Sequence, residues 1–197
     1  MSTPNGNGNG QPRKLRFATA WLGGCSGCHM SFLDLDELLF DLAEHVDVVF
    51  GPLTDVKVFP PDVDITLVEG AVTNEDNVEI ARAVRANTRV VVSFGDCAVT
   101  GNVTSLRNAM GDPDPMVRRV YVDHPDINGA MPTEIVPALL PQAEPLHELI
   151  PVDVYLPGCP PSGERIRNAL FRLVESLEAG EGIPDMDWRT PDDLRFG

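Results

Sequence analysis

Every cysteine of this chain comes just after an apolar run that ends at glycine. The three runs are Trp21-Leu-Gly-Gly-Cys25-Ser-Gly-Cys28, Val90-Val-Val-Ser-Phe-Gly-Asp-Cys97 and Val152-Asp-Val-Tyr-Leu-Pro-Gly-Cys159, and they hold all four cysteines of the sequence. Each run has the length and the β-branched or aromatic content of a strand; glycine then breaks it, and the cysteine falls in the following loop. In an open α/β sheet the loops at the carboxyl ends of parallel strands meet at the crevice where ligands bind. The pattern therefore predicts that Cys25, Cys28, Cys97 and Cys159 converge on one rim.

The rest of the chain reads as the scaffold for that convergence. Leu15 to Trp21, Val46 to Phe50, Ile65 to Val68, Val90 to Phe94 and Val152 to Leu156 are five strand candidates. Between the first two, Phe32, Leu35, Leu38, Leu39 and Leu42 recur at spacings of three and four, which predicts a helix from about Ser31 with acidic residues on its outer face. Thr73 followed by Asp76 resembles a helix-start capping box for Val78, Ile80, Ala81 and Val84. A last helix is expected from about Gly163 to Leu177, with Ile166, Leu170, Leu173, Val174 and Leu177 as its buried stripe. Alternating strands and helices predict a flavodoxin-like, doubly wound parallel α/β sheet. From Gly101 to about Pro151 eight prolines weaken the pattern. A long, mostly irregular loop region with one or two short helices is expected there, and loops of that length are commonly functional or interfacial.

The expected organisation is a disordered tail at 1–13, one domain at 14–178 and an extended tail at 179–197. Gly-Asn repetition in the first segment offers nothing apolar to offset the entropy of ordering. Trp188 and Phe196 in the last are expected to lie on this subunit or on a partner. No apolar run reaches the roughly 20 residues of a membrane span, and the first dozen residues lack the apolar core of a secretory signal. The expected compartment is the cytoplasm. With 15 basic and 30 acidic residues the chain carries a formal charge of −15, which argues against nucleic acid as a partner.

In a reducing compartment, clustered cysteines point to metal or redox chemistry rather than to disulfides. A four-cysteine zinc site commonly pairs two close-spaced knuckles, and only one Cys-x-x-Cys is present. A thioredoxin-like dithiol suits Cys25 and Cys28 but leaves Cys97 and Cys159 without a role. An iron-sulfur cluster uses all four, with Gly24, Gly27, Gly95 and Gly158 letting the backbone pass close to an inorganic core. Ligand count leaves 2Fe-2S and 4Fe-4S equally open. A flavin also suits this fold class, but the cysteine loops already occupy its crevice.

Cys25-Ser-Gly-Cys28, Glu69-Gly-Ala, Gly95-Asp-Cys97-Ala and Pro157-Gly-Cys-Pro-Pro161 resemble the small subunit of NiFe hydrogenases and its relative, a cluster-binding subunit of respiratory complex I. The resemblance covers about Arg16 to Leu177. The complex I relative has adjacent cysteines in its first motif where this chain has Gly24 and Cys25, a departure that favours the hydrogenase branch. Many small subunits of that branch continue into a domain with more cysteines. The shorter form seen here resembles the small subunit of cytoplasmic NAD-reducing (bidirectional) NiFe hydrogenases.

That resemblance implies one 4Fe-4S cluster on Cys25, Cys28, Cys97 and Cys159, with no bond-making catalytic residue in this chain. It implies a large subunit carrying the NiFe centre, and diaphorase subunits carrying FMN, further clusters and the NAD site. An NADP-linked or ferredoxin-linked hydrogenase is the nearest alternative. Glu69, just past the third strand, is a candidate proton relay or loop anchor. Asp96 is expected to accept loop N-H bonds, and His29 to bond a sulfur, line an interface or simply pack. His45, His124 and His147 are expected at the surface or in loops.

Overall fold

Five strands form one parallel sheet in the order β2-β1-β3-β5-β7, with every ladder in register along its length except for a bulge between β1 and β2. The computed structural model describes residues 13–124 and 129–185. In chain order its elements are β1 (Leu15–Trp21), α1 (Gly27–Leu33), α2 (Leu38–His45), β2 (Val46–Phe50), β3 (Val63–Glu69), β4 (Val72–Asn74), α3 (Glu75–Asn87) and β5 (Thr88–Phe94). There follow α4 (Asp96–Thr100), a 3-10 helix (Asn102–Met110), α5 (Asp114–Arg118) running into a π turn (Arg119–Asp123), β6 (Leu139–Glu144), α6 (Leu146–Leu149), β7 (Val154–Leu156) and α7 (Gly163–Glu178). The five main strands thus take the flavodoxin order, second-first-third-fourth-fifth, and the chain switches direction between β1 and β3.

Burial explains why the middle strands are continuous apolar runs. All seven residues of β3 are buried, and in β5 only Arg89 is exposed. Both faces are covered: α1, α2 and α7 pack on one, and α3, α4 and α6 on the other. Ile166, Leu170, Leu173, Val174 and Leu177 are all buried in the first of these layers, and Ser162 caps their helix by accepting the Arg165 N-H at 3.3 Å.

Three expectations are corrected. The single helix after the first cysteines begins earlier, at Gly27, and is split into α1 and α2 at Asp36, whose φ is 47°. The apolar stripe survives the break because Leu35 turns into the core while i to i−3 bonds bridge the gap. The cap of α3 is Asn74, whose side chain accepts the Asn77 N-H at 2.8 Å, while Thr73 donates to Asn77 instead. The proline-rich stretch holds a strand, β6, which pairs antiparallel with β4. Pro141 sits in it without breaking a central ladder, since this sheet has only two strands.

Arg13 is anchored by Asp64 at 3.0 Å, and Asp64 also accepts the Arg16 N-H at 2.7 Å. The expected N-terminal tail up to residue 12, and Trp188 and Phe196 of the expected C-terminal tail, lie outside the described residues. Among the described residues no helix is long and apolar enough to cross a membrane.

Leu173 is 2% exposed and Leu53 87%. Leu173→Ala is expected to destabilise the domain by about 2–5 kcal/mol, while Leu53→Ala stays within about 0.5 kcal/mol. Denaturant unfolding at a fixed metal state checks this, and equal effects would contradict the packing described.

Candidate metal centre

The three cysteine loops leave neighbouring strand ends and are sewn to one another by backbone bonds. After β1, Leu22 N donates to Glu69 O at 2.8 Å, and Gly23 and Ala71 exchange two bonds of 2.8 Å, so the Cys25 loop is tied to the loop after β3. After β5, Gly95 N donates to Leu156 O at 2.8 Å and Asp96 N to Gly158 O at 2.9 Å. The Asp96 side chain returns the link by accepting Gly158 N-H at 2.7 Å. Ser31 in α1 donates its hydroxyl to Pro161 O at 2.6 Å, joining the first loop to the last. The Cys159-Pro160 peptide bond is cis.

Within this frame Cys28 is buried in the first turn of α1, Cys97 is half-buried in the first turn of α4, and Cys25 and Cys159 are exposed. Gly95 has φ of 81°, and a Cβ built there would lie 2.1 Å from the Cys28 sulfur. No side chain fits that position while Cys28 stays where it is.

The sulfurs bear on one another electrostatically. Burial first, and then repulsion from Glu69, Cys97, Cys25 and Cys159, hold the Cys28 thiol well above its ordinary pKa. Burial also raises Cys97; the nearby backbone N-H groups of Val103 and Thr104 pull the other way, while Cys159 and Cys25 add repulsion. A nucleophilic redox thiol needs its pKa lowered, so Cys28 has the wrong environment for one. Among the described residues no three His, Cys, Asp or Glu side chains stand at the spacing that holds a single ion.

Of the polar groups around the sulfurs, Glu69 and His29 are singled out by the sequence and Asn102 is not. Asn102 Nδ2 donates to Cys159 Sγ at 3.2 Å. Glu69, 2% exposed, accepts the His29 N-H at 3.1 Å and also pairs with His29 Nδ1. That ring packs edge-on against Trp21 and Phe94, with centroids 5.2 and 5.8 Å away, and its buried Nε2 has no partner among the described residues. His29 therefore bonds a carboxylate here, not a sulfur. His124 and His147 are exposed, and half-buried His45 pairs with Glu178 at 3.1 Å. The one local hint of Asn102 was the Gly101-Asn102 pair, a turn signal that also admits left-handed backbone.

Residues 25–173 match the family model described as NADH ubiquinone oxidoreductase, 20 Kd subunit. The chain belongs to that family. It is 39% identical over 170 residues to a subunit of the F420-non-reducing hydrogenase of Methanothermobacter thermautotrophicus, a match covering 84% of this chain and 55% of the relative. It is 36% identical over 180 residues to the delta subunit of the NAD-reducing hydrogenase HoxS of Cupriavidus necator, covering 85% and 80%. This chain thus spans little more than half of the first relative, but most of the second.

Among solved structures, a chain of an NAD+-reducing [NiFe]-hydrogenase in the H2-reduced state superposes with TM-score 0.80 at 37% identity, covering 94% of this chain and 100% of that one. A Ni-Fe-Se hydrogenase from Desulfomicrobium baculatum, at TM-score 0.57 and 15% identity, shares the fold, with 89% and 68% covered.

In metal-free protein, Cys25 and Cys159 are expected to alkylate at pH 8 at least about tenfold faster than Cys28, because the raised pKa leaves Cys28 protonated and burial shields it. Its rate should keep climbing with pH beyond the ordinary thiol range. Mass spectrometry of time-quenched labelling measures this, and Cys28 reacting first would overturn the electrostatic reading.

Proposed function

We propose that this chain is the electron-transfer small subunit of a NiFe hydrogenase, holding one 4Fe-4S cluster on Cys25, Cys28, Cys97 and Cys159. The observation that carries the reading is four cysteines on three loops that are sewn to one another by backbone and side-chain bonds at one edge of the sheet, in a chain whose family match spans residues 25–173. An iron-sulfur core uses all four cysteines, and its iron supplies the positive charge that makes four thiolates stable together. Such a cluster, when bound, supplies a one-electron relay.

What this chain's own residues do follows from their places. The cysteines bind, the loop bonds fix their separation, and Gly95 keeps the backbone off Cys28. Trp21, Met30, Val103 and Leu106, 41 to 71% exposed, flank the cysteine loops and leave an apolar margin around exposed Cys25 and Cys159. Apolar surface of this kind fits a partner docked over the sulfurs; the partner proposed is the large subunit, which carries the NiFe centre. Onward transfer goes to diaphorase subunits with FMN, clusters and the NAD site. The likeness to the HoxS delta subunit and to the NAD+-reducing [NiFe]-hydrogenase chain supports that acceptor. A second reading keeps the relay and changes the acceptor, and the 39% identity to a hydrogenase subunit of another type favours it. The setting proposed is the reducing cytoplasm.

Glu69 is proposed to hold His29 rather than to move protons onward, since both His29 contacts converge on Glu69 Oε2.

Purified under anaerobic conditions, the complex is expected to be brown, with about four iron atoms in this chain. Cys97→Ser should bleach that cluster and abolish hydrogen-dependent NAD reduction. A normal iron signal in the variant would sink the ligand assignment; a colourless, zinc-containing or metal-free parent would sink the relay itself. Hydrogen-dependent reduction of another acceptor but not of NAD would select the second reading.

A further inference from the structure

We infer that Asn102 raises the reduction potential of this centre from outside the ligand set, through the N-H bond its side-chain amide donates to Cys159. The inference rests on the cluster reading above. Among the described residues Asn102 is the only side chain that donates to a cysteine sulfur, Nδ2 lying 3.2 Å from Cys159 Sγ.

The turn around it is held in place from both ends. Gly101 has φ of 81°, and a Cβ there would come within 2.9 Å of the Ser105 Cβ; Asn102 follows with φ of 31°. Ser105 bonds back to both residues, its N-H to Gly101 O at 3.0 Å and its hydroxyl to Asn102 O at 2.8 Å. Further along the 3-10 helix, Arg107 donates to Leu140 O at 2.9 Å and to Thr73 O at 3.2 Å. Asn108 makes two bonds of 2.8 Å with the backbone of Ala143. The strand β6 thus serves as a clamp on the helix whose head presents Asn102 to the Cys159 sulfur.

Reduction adds one electron to the core and increases the negative charge on its ligand sulfurs. A donor aimed at a sulfur stabilises the more negative state, so it shifts the couple toward the reduced form. Asn102 touches neither iron nor substrate and acts through Cys159; it is a positioning and tuning residue. Its left-handed backbone raises the alternative that it merely shapes the turn, which substitution can separate from tuning. Asn102→Gly keeps the backbone option and removes the amide. Asn102→Asp keeps the shape and replaces the donor with a carboxylate.

The test is a potentiometric titration followed by electron paramagnetic resonance on the anaerobic complex with its copurifying chains. The signal of this chain is identified as the one lost in Cys97→Ser. At a fixed potential near the midpoint, the reduced-to-oxidised ratio is expected to fall about threefold in Asn102→Gly, equivalent to about 30 mV for a one-electron couple. It should fall further in Asn102→Asp, with the parent's iron content kept in both. Both variants titrating at the parent midpoint would overturn the inference, as would loss of iron from both, which would make Asn102 structural. A parent complex with no iron in this chain would overturn the cluster reading instead, before either variant is compared.

Discussion

Four cysteine sulfurs set in a partly buried rim repel one another only once they are thiolates, and the fold has to hold them there before the proposed cluster binds. Burial and mutual repulsion raise the Cys28 thiol, so the metal-free site is stable only with protons on its sulfur. Binding of the proposed cluster would exchange protons for iron, with an affinity that depends on how little the loops must move. The backbone bonds between the Cys25 loop and the Glu69 loop, and between the Cys97 loop and the Cys159 loop, restrict that movement. Each is a modest contribution alone, on the order of 1 kcal/mol. Together they fix loop separation, which no single side chain could do.

The sheet explains why these loops are neighbours. The strands β1, β3, β5 and β7 are consecutive in the sheet and parallel, so their carboxyl ends form one edge. The direction change between β1 and β3 opens a crevice at that edge, and the bridge between Gly23 and Ala71 closes its base. Cys28 is the deepest of the four because α1 starts at the crevice and runs back over the sheet, against α7 and the first core layer. The large apolar faces of the sheet supply the stability, and the rim is left free for function.

The features legible in the sequence are the local ones. Strand ends, glycine breaks and cysteine positions all lie within a few residues of each other, so pattern reading places the four sulfurs on one rim. The same reasoning carries the apolar stripe of α7 through to Leu177. It runs past Asp36 because the helical periodicity of Phe32, Leu35, Leu38 and Leu39 does not register a backbone break between them. It misses β6 because Pro141 and the short β4 give no alternating signal; that pairing joins residues about seventy positions apart, such as Val72 and Glu144. The His29 pair with Glu69 and the Asn102 bond to Cys159 are likewise contacts between distant segments. Contacts of this kind are set by the fold, whereas the candidate ligands announce themselves by residue type.

The strong acidity of the chain works against its proposed task in principle, since adding an electron to a protein already at −15 is electrostatically unfavourable. Distance decides how much that matters. Exposed carboxylates beyond a Debye length, about 8 Å at physiological salt, are largely screened from the sulfurs. An amide 3.2 Å from Cys159 has no intervening water or ions to screen it. Glu69, buried and bonded to His29, is the carboxylate whose charge bears most on Cys28. An oriented dipole in contact therefore outweighs many distant charges, and the acidic surface is free to serve solubility and the choice of partner.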